Sequence, residues 1–146
     1  MSNERRFDVG QFGDEVRRIL VIAAHPDDLE TTCGGTLALL IERGTEVALL
    51  LCTDGDIGTH DPGFTRASLA ATRRQETLAG AQVLGVHDVF FLGHPDGELV
   101  ANPCLRAEVA AAYRRDRSDS SELVKISLYR HPKGNDNNFF RAYVWL

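Results

Sequence analysis

The sequence lacks the features that mark several large classes of protein. Its 146 residues carry a net charge of −5, which argues against a protein that binds the phosphate backbone of nucleic acids with a basic face. No apolar run approaches the roughly 20 residues that a membrane-spanning helix needs. The first 18 residues are charged and have no apolar core of a secretory signal. We therefore expect a soluble, cytoplasmic protein without a nucleic-acid or membrane partner.

Cysteine is also scarce. The three cysteines are odd in number and have no C-x-x-C spacing, which disfavours both a disulfide framework and a thiolate zinc site. The glycine-rich motifs of nucleotide-binding folds are missing from the first β-α turn, so a nucleotide-binding domain is a weak hypothesis. A hydrophobic content of 43% and a charged content of 25% are typical of one globular domain.

Short apolar runs alternate along the chain with longer segments of helical periodicity. The predicted strands are 19–24, 45–52, 86–92, 123–129 and 139–146, and the predicted helices are about 34–43, 65–84 and 105–115. Thr31 or Thr32 is expected to cap the first helix. The alternation predicts a Rossmann-like, doubly wound α/β fold, with helices on both faces of a mostly parallel sheet.

The chain divides into three parts. Residues 1–18 are interpreted as a lead-in segment, residues 19–115 as the α/β domain and residues 116–146 as a divergent C-terminal tail. The tail begins with a highly polar run, and a doubly wound domain normally continues with further β-α units.

Ionisable residues follow each of the first three predicted strands. They are His25, Asp27 and Asp28 after the first, Asp54 after the second, and His94 and Asp96 after the third. The carboxyl ends of parallel strands meet at one edge of the sheet, where ligands of such folds bind. We therefore expect these side chains to share that edge.

The residues His25, Asp27 and Asp28 can divide the work of a metal site. His25 and Asp28 are three apart and would share a face on a first helical turn, and an imidazole with a carboxylate suits Zn²⁺ or a similar divalent ion. Asp27 points elsewhere and is placed to act on a metal-activated water as general base. The alternative is structural: either aspartate caps a helix, and His25 is the polar end of a strand.

Residues 24–30 (AHPDDLE) and 33–38 (CGGTLA) resemble the signature of the PIG-L/LmbE-like family of zinc-dependent N-deacetylases. Residues 53–55 (TDG), 73–76 (RRQE), 84–86 (LGV) and 92–99 (LGHPDGEL) match further family motifs in the right order. The resemblance runs from about residue 18 to about residue 115. It implies a Rossmann-like fold and hydrolysis of an N-acetyl group from an amino sugar or glycoconjugate.

The resemblance also implies roles for individual residues. His25 and Asp28 would be zinc ligands, and Asp27 the general base. Arg73 and Asp96 match substrate-contacting residues, although Arg73 has the alternative of a solvated helix charge and Asp96 that of a turn former.

The C-terminal part departs from the family pattern. The family has an H-P-D-H motif after its fourth strand, whose last histidine is a metal ligand and whose first stabilises the oxyanion. Residues 131–134 (HPKG) match only its start, so His131 is the candidate for oxyanion stabilisation. His131 or Asp136 is a candidate third ligand, and otherwise the tail is divergent or truncated. The expected activity is metal-dependent N-acetyl hydrolysis, and the alternative is an impaired relative that binds sugar or metal without turnover.

Overall fold

Five strands form one sheet in the order β3-β2-β1-β4-β5. The structure is a computed structural model that describes the backbone of residues 17–116, 123–130 and 140–145. The strands are β1 (Arg18–Ala23), β2 (Glu46–Thr53), β3 (Asp88–His94), β4 (Leu123–Arg130) and β5 (Phe140–Trp145). The pairs β1-β2, β2-β3 and β1-β4 are parallel, and β5 lies antiparallel to β4 at the edge.

Four helices are described between these strands. They are α1 (Asp28–Thr32), α2 (Gly34–Glu42), α3 (Arg66–Leu84) and α4 (Pro103–Asp116). Within the described ranges, no helix combines the length and apolar character that crossing a membrane requires.

The two faces of the sheet bury separate apolar clusters, because alternate residues of a strand point to opposite faces. Leu29 of α1, Leu37 and Leu40 of α2 and Ala81 of α3 pack with the Val21 face of β1. The other face, with Leu20 and Ile22 of β1, packs against Leu105, Val109, Ala112 and Tyr113 of α4. Helices therefore cover both faces, and the prediction of a Rossmann-like α/β fold is confirmed.

The sequence of β1 is apolar throughout because the strand is covered on both sides. Every residue from Ile19 to Ala23 is buried. The chain passes from β1 to β2 on one side, and β4 lies on the other side. The gap between the carboxyl ends of β1 and β4 is thus a topological switch point, the usual place for a ligand in an open α/β sheet.

The third strand ends at His94 rather than Leu92, so His94 is its last residue and does not follow it. Two further predicted boundaries were wrong for local reasons. Strand β3 begins at Asp88 rather than Val86, because Gly85 adopts φ +84° and the amide of Val86 donates to the carbonyl of Ala81, which completes the end of α3. Helix α4 begins at Pro103 rather than Leu105, because the Asn102 side chain accepts the amide of Leu105 at 2.9 Å.

The predicted cap of the helix at residues 34–43, which is α2, was also wrong. Thr31 and Thr32 lie inside α1, and their hydroxyls donate back to the carbonyls of Asp27 and Asp28. Cys33 occupies the cap position of α2. Thr65, in contrast, caps α3 and forms a capping box with Ser68.

Residues of the predicted tail enter the same sheet. The backbone of β4 pairs with β1 from Arg18 to Ile22, so the sheet continues beyond residue 115. The domain limits at residues 18 and 115 stay predictions.

Candidate metal and catalytic site

The turn after β1 is fastened to the end of β2. The amide and the hydroxyl of Thr53 both donate to the carbonyl of Ala24, at 3.0 and 2.7 Å. Thr53 is almost fully buried, so this double contact is shielded from water. It fixes the point at which the backbone leaves the sheet, immediately before His25.

Asp28 holds the same turn from within. Its Oδ2 accepts the amides of Ala24 and His25, at 3.1 and 2.9 Å, and the residue is buried. The carboxylate folds back onto the strand end and does not cap a helix. These contacts involve Oδ2 alone, which leaves the other carboxylate oxygen, Oδ1, outside them.

The imidazole of His25 lies between two carboxylates. Nδ1 is 3.5 Å from Oδ2 of Asp28, and Nε2 is 3.2 Å from Oδ1 of Asp96. The hydrogen bond with Asp28 raises the pKa of His25; burial opposes this, and the negative charges of Asp28, Asp96 and Asp27 add to the increase. The structure therefore brings together three of the predicted site residues: His25, Asp28 and Asp96.

Asp27 stands apart from this contact set. It is exposed and occupies the first cap position of α1, but its side chain makes no capping hydrogen bond. Neither the Asp27 nor the Asp28 side chain therefore caps a helix. Asp27 is exposed to solvent beside the His25 turn.

Arg73 lies on α3, and its Nη1 donates to Glu76 one turn later at 3.0 Å. Its neighbour Arg74 makes the more extensive contacts. Arg74 donates through Nε and Nη2 to the two oxygens of Asp54, at 3.0 and 2.9 Å, and its guanidinium lies 4.8 Å from the ring centre of Phe91. A bidentate arginine–carboxylate pair is geometrically specific, so Arg74 joins the loop after β2 to α3 and contacts β3 through Phe91.

Sequence reasoning missed three contacts at this edge. Asp56 accepts the backbone amide of Asp96, and Arg66 pairs with Asp56. His94 lies 2.5 Å from Glu108 of α4. The only signal in the sequence was the position of Asp56 close behind β2, and it did not indicate a partner.

The donor set agrees in kind with a divalent metal, because imidazole nitrogen and carboxylate oxygen are typical zinc ligands. His25 and Oδ1 of Asp28 could supply two such atoms. Across residues 17–116 and the described strands beyond, no three His, Cys, Asp or Glu side chains are arranged to hold a metal. A catalytic zinc normally has three protein ligands, so a further one is required. His131 and Asp136 lie outside the described residues.

The fold and this cluster define a class: an α/β protein with a polar site of histidine and aspartate at the carboxyl edge of a parallel sheet. Residues 20–132 match the PIG-L family, described as GlcNAc-PI de-N-acetylase. The chain belongs to this family. The match extends past residue 115 and includes β4.

Relatives carry the comparison further. The chain is 34% identical over 111 residues to diacetylchitobiose deacetylase of Thermococcus kodakarensis, covering 76% of this chain and 42% of that protein. The chain therefore spans less than half the length of this curated relative.

Two solved structures are similar in fold. N,N'-diacetylchitobiose deacetylase of Pyrococcus horikoshii, in complex with an inhibitor, has a TM-score of 0.72 and 33% identity, covering 76% of this chain and 42% of that one. The 4-carboxy-2-hydroxymuconate hydratase GalB of Pseudomonas putida has a TM-score of 0.63 and 28% identity, covering 69% and 44%.

Proposed function

We propose that the chain acts as a metal-dependent N-deacetylase that removes the acetyl group from an N-acetylated amino sugar or glycoconjugate. The observation that carries the proposal is the placement of His25 between Asp28 and Asp96 at the carboxyl edge of the sheet, immediately after the strand that borders the switch point. Membership of the PIG-L family supports the reaction, and the similarity to diacetylchitobiose deacetylase supports an amino-sugar substrate.

His25 and Asp28 would hold the metal, with Zn²⁺ as the expected ion. When bound, the metal supplies Lewis-acid polarisation of the acetyl carbonyl and lowers the pKa of the attacking water. The hydrogen bonds that Asp28 accepts from the backbone fix its carboxylate before any ligand arrives. Such preorganisation lowers the cost of binding.

Asp27 acts as the general base. Its carboxylate takes a proton from water as the water oxygen bonds to the amide carbon, and the resulting carboxylic acid returns the proton to the leaving nitrogen as the C–N bond breaks. The products are acetate and a free amino sugar. Asp96 and Arg73 are proposed to contact the substrate. His131 is proposed to stabilise the oxyanion if Asp136 supplies the third metal ligand.

The third metal ligand is proposed to come from the segment that follows β4. Because β4 runs parallel to β1, its last residue, Arg130, lies at the same edge of the sheet as the turn that carries His25. His131 is the next residue in the sequence, and Asp136 is the other candidate. Replacing each by alanine separates them, since only loss of the true ligand reduces the bound zinc.

The decisive experiment measures zinc content and N-acetyl hydrolysis together, with diacetylchitobiose as the probe. Asp28→Ala is expected to lose metal and activity, whereas Asp27→Ala keeps the metal and loses at least about a hundredfold in kcat, the usual contribution of general-base catalysis. Glu42→Ala, which removes an exposed carboxylate at the end of α2, is the matched control. Hydrolysis by Asp27→Ala at the wild-type rate would refute the assigned base.

A second candidate function is the addition of water to an unsaturated carboxylate, favoured by the similarity to GalB. Turnover of 4-carboxy-2-hydroxymuconate without release of acetate from diacetylchitobiose would establish it. The remaining alternative is a relative that binds sugar without turnover. Sugar binding without acetate release, even with excess zinc, would identify that case.

A further inference from the structure

The turn that carries Asp96 is held from outside by an ion pair. The Asp96 amide donates to Oδ1 of Asp56 at 2.8 Å, and Oδ2 of the same carboxylate accepts from Nε of Arg66 at 2.6 Å. Nη2 of Arg66 in turn lies 3.4 Å from the Asp96 carbonyl oxygen. The Asp56–Arg66 pair thus contacts both backbone polar atoms of a single residue.

The Asp56–Arg66 pair is attached to a well-fixed helix start. Arg66 is the first residue of α3, next to the capping box formed by Thr65 and Ser68, so the helix start is well fixed. The carboxyl side chain of Asp56 is only 14% exposed, and the hydrogen bond from Arg66 lowers its pKa. Asp56 therefore remains an anion able to accept the Asp96 amide at neutral pH.

The Asp96 side chain extends from this held backbone to Nε2 of His25. Its position depends on the turn, because β3 and β1 are separated by β2 in the sheet. A shift of the turn by 1 Å would lengthen the 3.2 Å contact beyond hydrogen-bonding distance.

We propose that Asp56 and Arg66 are positioning residues that hold the Asp96 carboxylate against His25. They touch neither His25 nor the reacting atoms and act through the backbone of Asp96. The inference deepens the proposed deacetylase function and rests on it for the kinetic part of its test. Its structural part stands on the contacts of Asp56 alone.

The first test is amide hydrogen exchange of the metal-free protein, followed by NMR. Asp56→Ala is expected to speed exchange of the Asp96 amide at least tenfold without changing the amides of β1 and β2. Asp56→Asn keeps an acceptor oxygen and should stay within threefold of wild type. Asp61→Ala is the matched control: it removes a carboxylate of the same loop that accepts the nearby Gly63 amide. Unchanged Asp96 exchange in Asp56→Ala, or equal acceleration throughout the sheet, overturns the proposal.

The second test is a kinetic double-mutant cycle on the zinc-loaded protein with diacetylchitobiose. Asp56→Ala should lower kcat/KM about tenfold in the wild-type background and less than twofold in an Asp96→Ala background. Without the Asp96 carboxylate, Asp56 has no side chain left to position. Arg66→Lys should retain more activity than Arg66→Ala. Additive losses in the cycle overturn the positioning role. If no variant and no wild type releases acetate, the deacetylase function fails while the exchange experiment still decides the contact.

Discussion

Nε2 of His25 lies 3.2 Å from Oδ1 of Asp96, and the two residues come from turns that follow β1 and β3. Asp28 faces the other ring nitrogen at 3.5 Å. An imidazole flanked by two carboxylates favours its protonated form. The metal-free site is therefore expected to hold a proton where the proposed function places a metal.

The first prediction concerns that proton. The pKa of His25 in the metal-free protein should lie above its ordinary value of 6.5, measured by NMR titration of the imidazole. Asp28→Asn should lower the pKa most, because the hydrogen bond with Asp28 is the largest cause of the increase, and Asp96→Asn should lower it less. A His25 pKa at or below 6.5 in the wild type would contradict this arrangement.

The raised pKa sets the sign of two pH dependences. Because the folded-state pKa exceeds the unfolded one, the stabilisation from protonated His25 is fully present below pH 6.5 and is lost as the pH rises through the folded-state pKa. A metal ligand must be deprotonated, so apparent zinc affinity should increase over the same interval. Zinc titrations with pH indicators should detect proton release at pH 6.5; binding without release there would count against His25 as ligand.

A second prediction separates the structural role of Asp28 from its role toward a metal. Asp28→Ala leaves the buried amides of Ala24 and His25 without their acceptor, which should cost about 3 kcal/mol of unfolding free energy. Asp28→Asn keeps one oxygen and should cost about half as much. Urea unfolding in the presence of a chelator measures this. Equal stability of Asp28→Ala and wild type would show that the two hydrogen bonds are not formed.

A third prediction concerns the contact between the loops after β1 and β2. Gly55 has φ +64°, and a Cβ there would lie 3.0 Å from Cδ of Pro26, the residue before the proposed base. Gly55→Ala should lose about 3 kcal/mol through backbone strain and overpacking, together with activity. Gly44→Ala is the matched control, since φ is +92° and, among the described residues, none beyond its chain neighbours lies within 4 Å of the added methyl. It should lose about 1 kcal/mol through strain alone and keep its kcat.

A fourth prediction concerns the amino-terminal edge of the sheet, away from the site. Arg18 of β1 pairs with Glu46 of β2 at 2.6 Å and with Asp88 of β3 at 2.7 Å. Arg18→Ala should lower the unfolding free energy by about 1 kcal/mol, with a smaller loss at 1 M salt because the pairs are partly exposed. Enzyme activity should not change. A loss that is independent of salt would indicate packing of the arginine stem instead of charge.

The sequence was sufficient to predict the parts of the fold that follow from simple patterns. The strand β1 was predicted because burial on both faces requires a continuous apolar run. The His25–Asp28 turn was identified because ionisable residues cluster directly after that run. That Asp96 shares an edge of the sheet with His25 followed from strand direction, but their direct contact was not predicted. The role of Asp28 in accepting two backbone amides was not predicted, because it depends on how tightly the chain turns after β1.

The pairing of Asp56 with Arg66 was beyond sequence reasoning for a different reason. The loop after β2 carries Asp54, Asp56 and Asp61, and the following helix carries Arg66, Arg73 and Arg74. Several pairings were therefore equally compatible with the spacing. Only the path of the loop selects one. The roles assigned to Asp27, Arg73 and His131 stay predictions for the activity and metal measurements.

The pairing of β1 with β4 has a consequence for how the protein is made. Ile22 and Ser127 are neighbours in the sheet although about 100 residues separate them along the chain. Contacts between distant segments form late and slow down folding. During synthesis, the edge of β1 that pairs with β4 is therefore expected to stay unpaired until β4 has left the ribosome. We expect ribosome-bound chains that stop before β4 to be more sensitive to proteases and to chaperone capture than chains that include it.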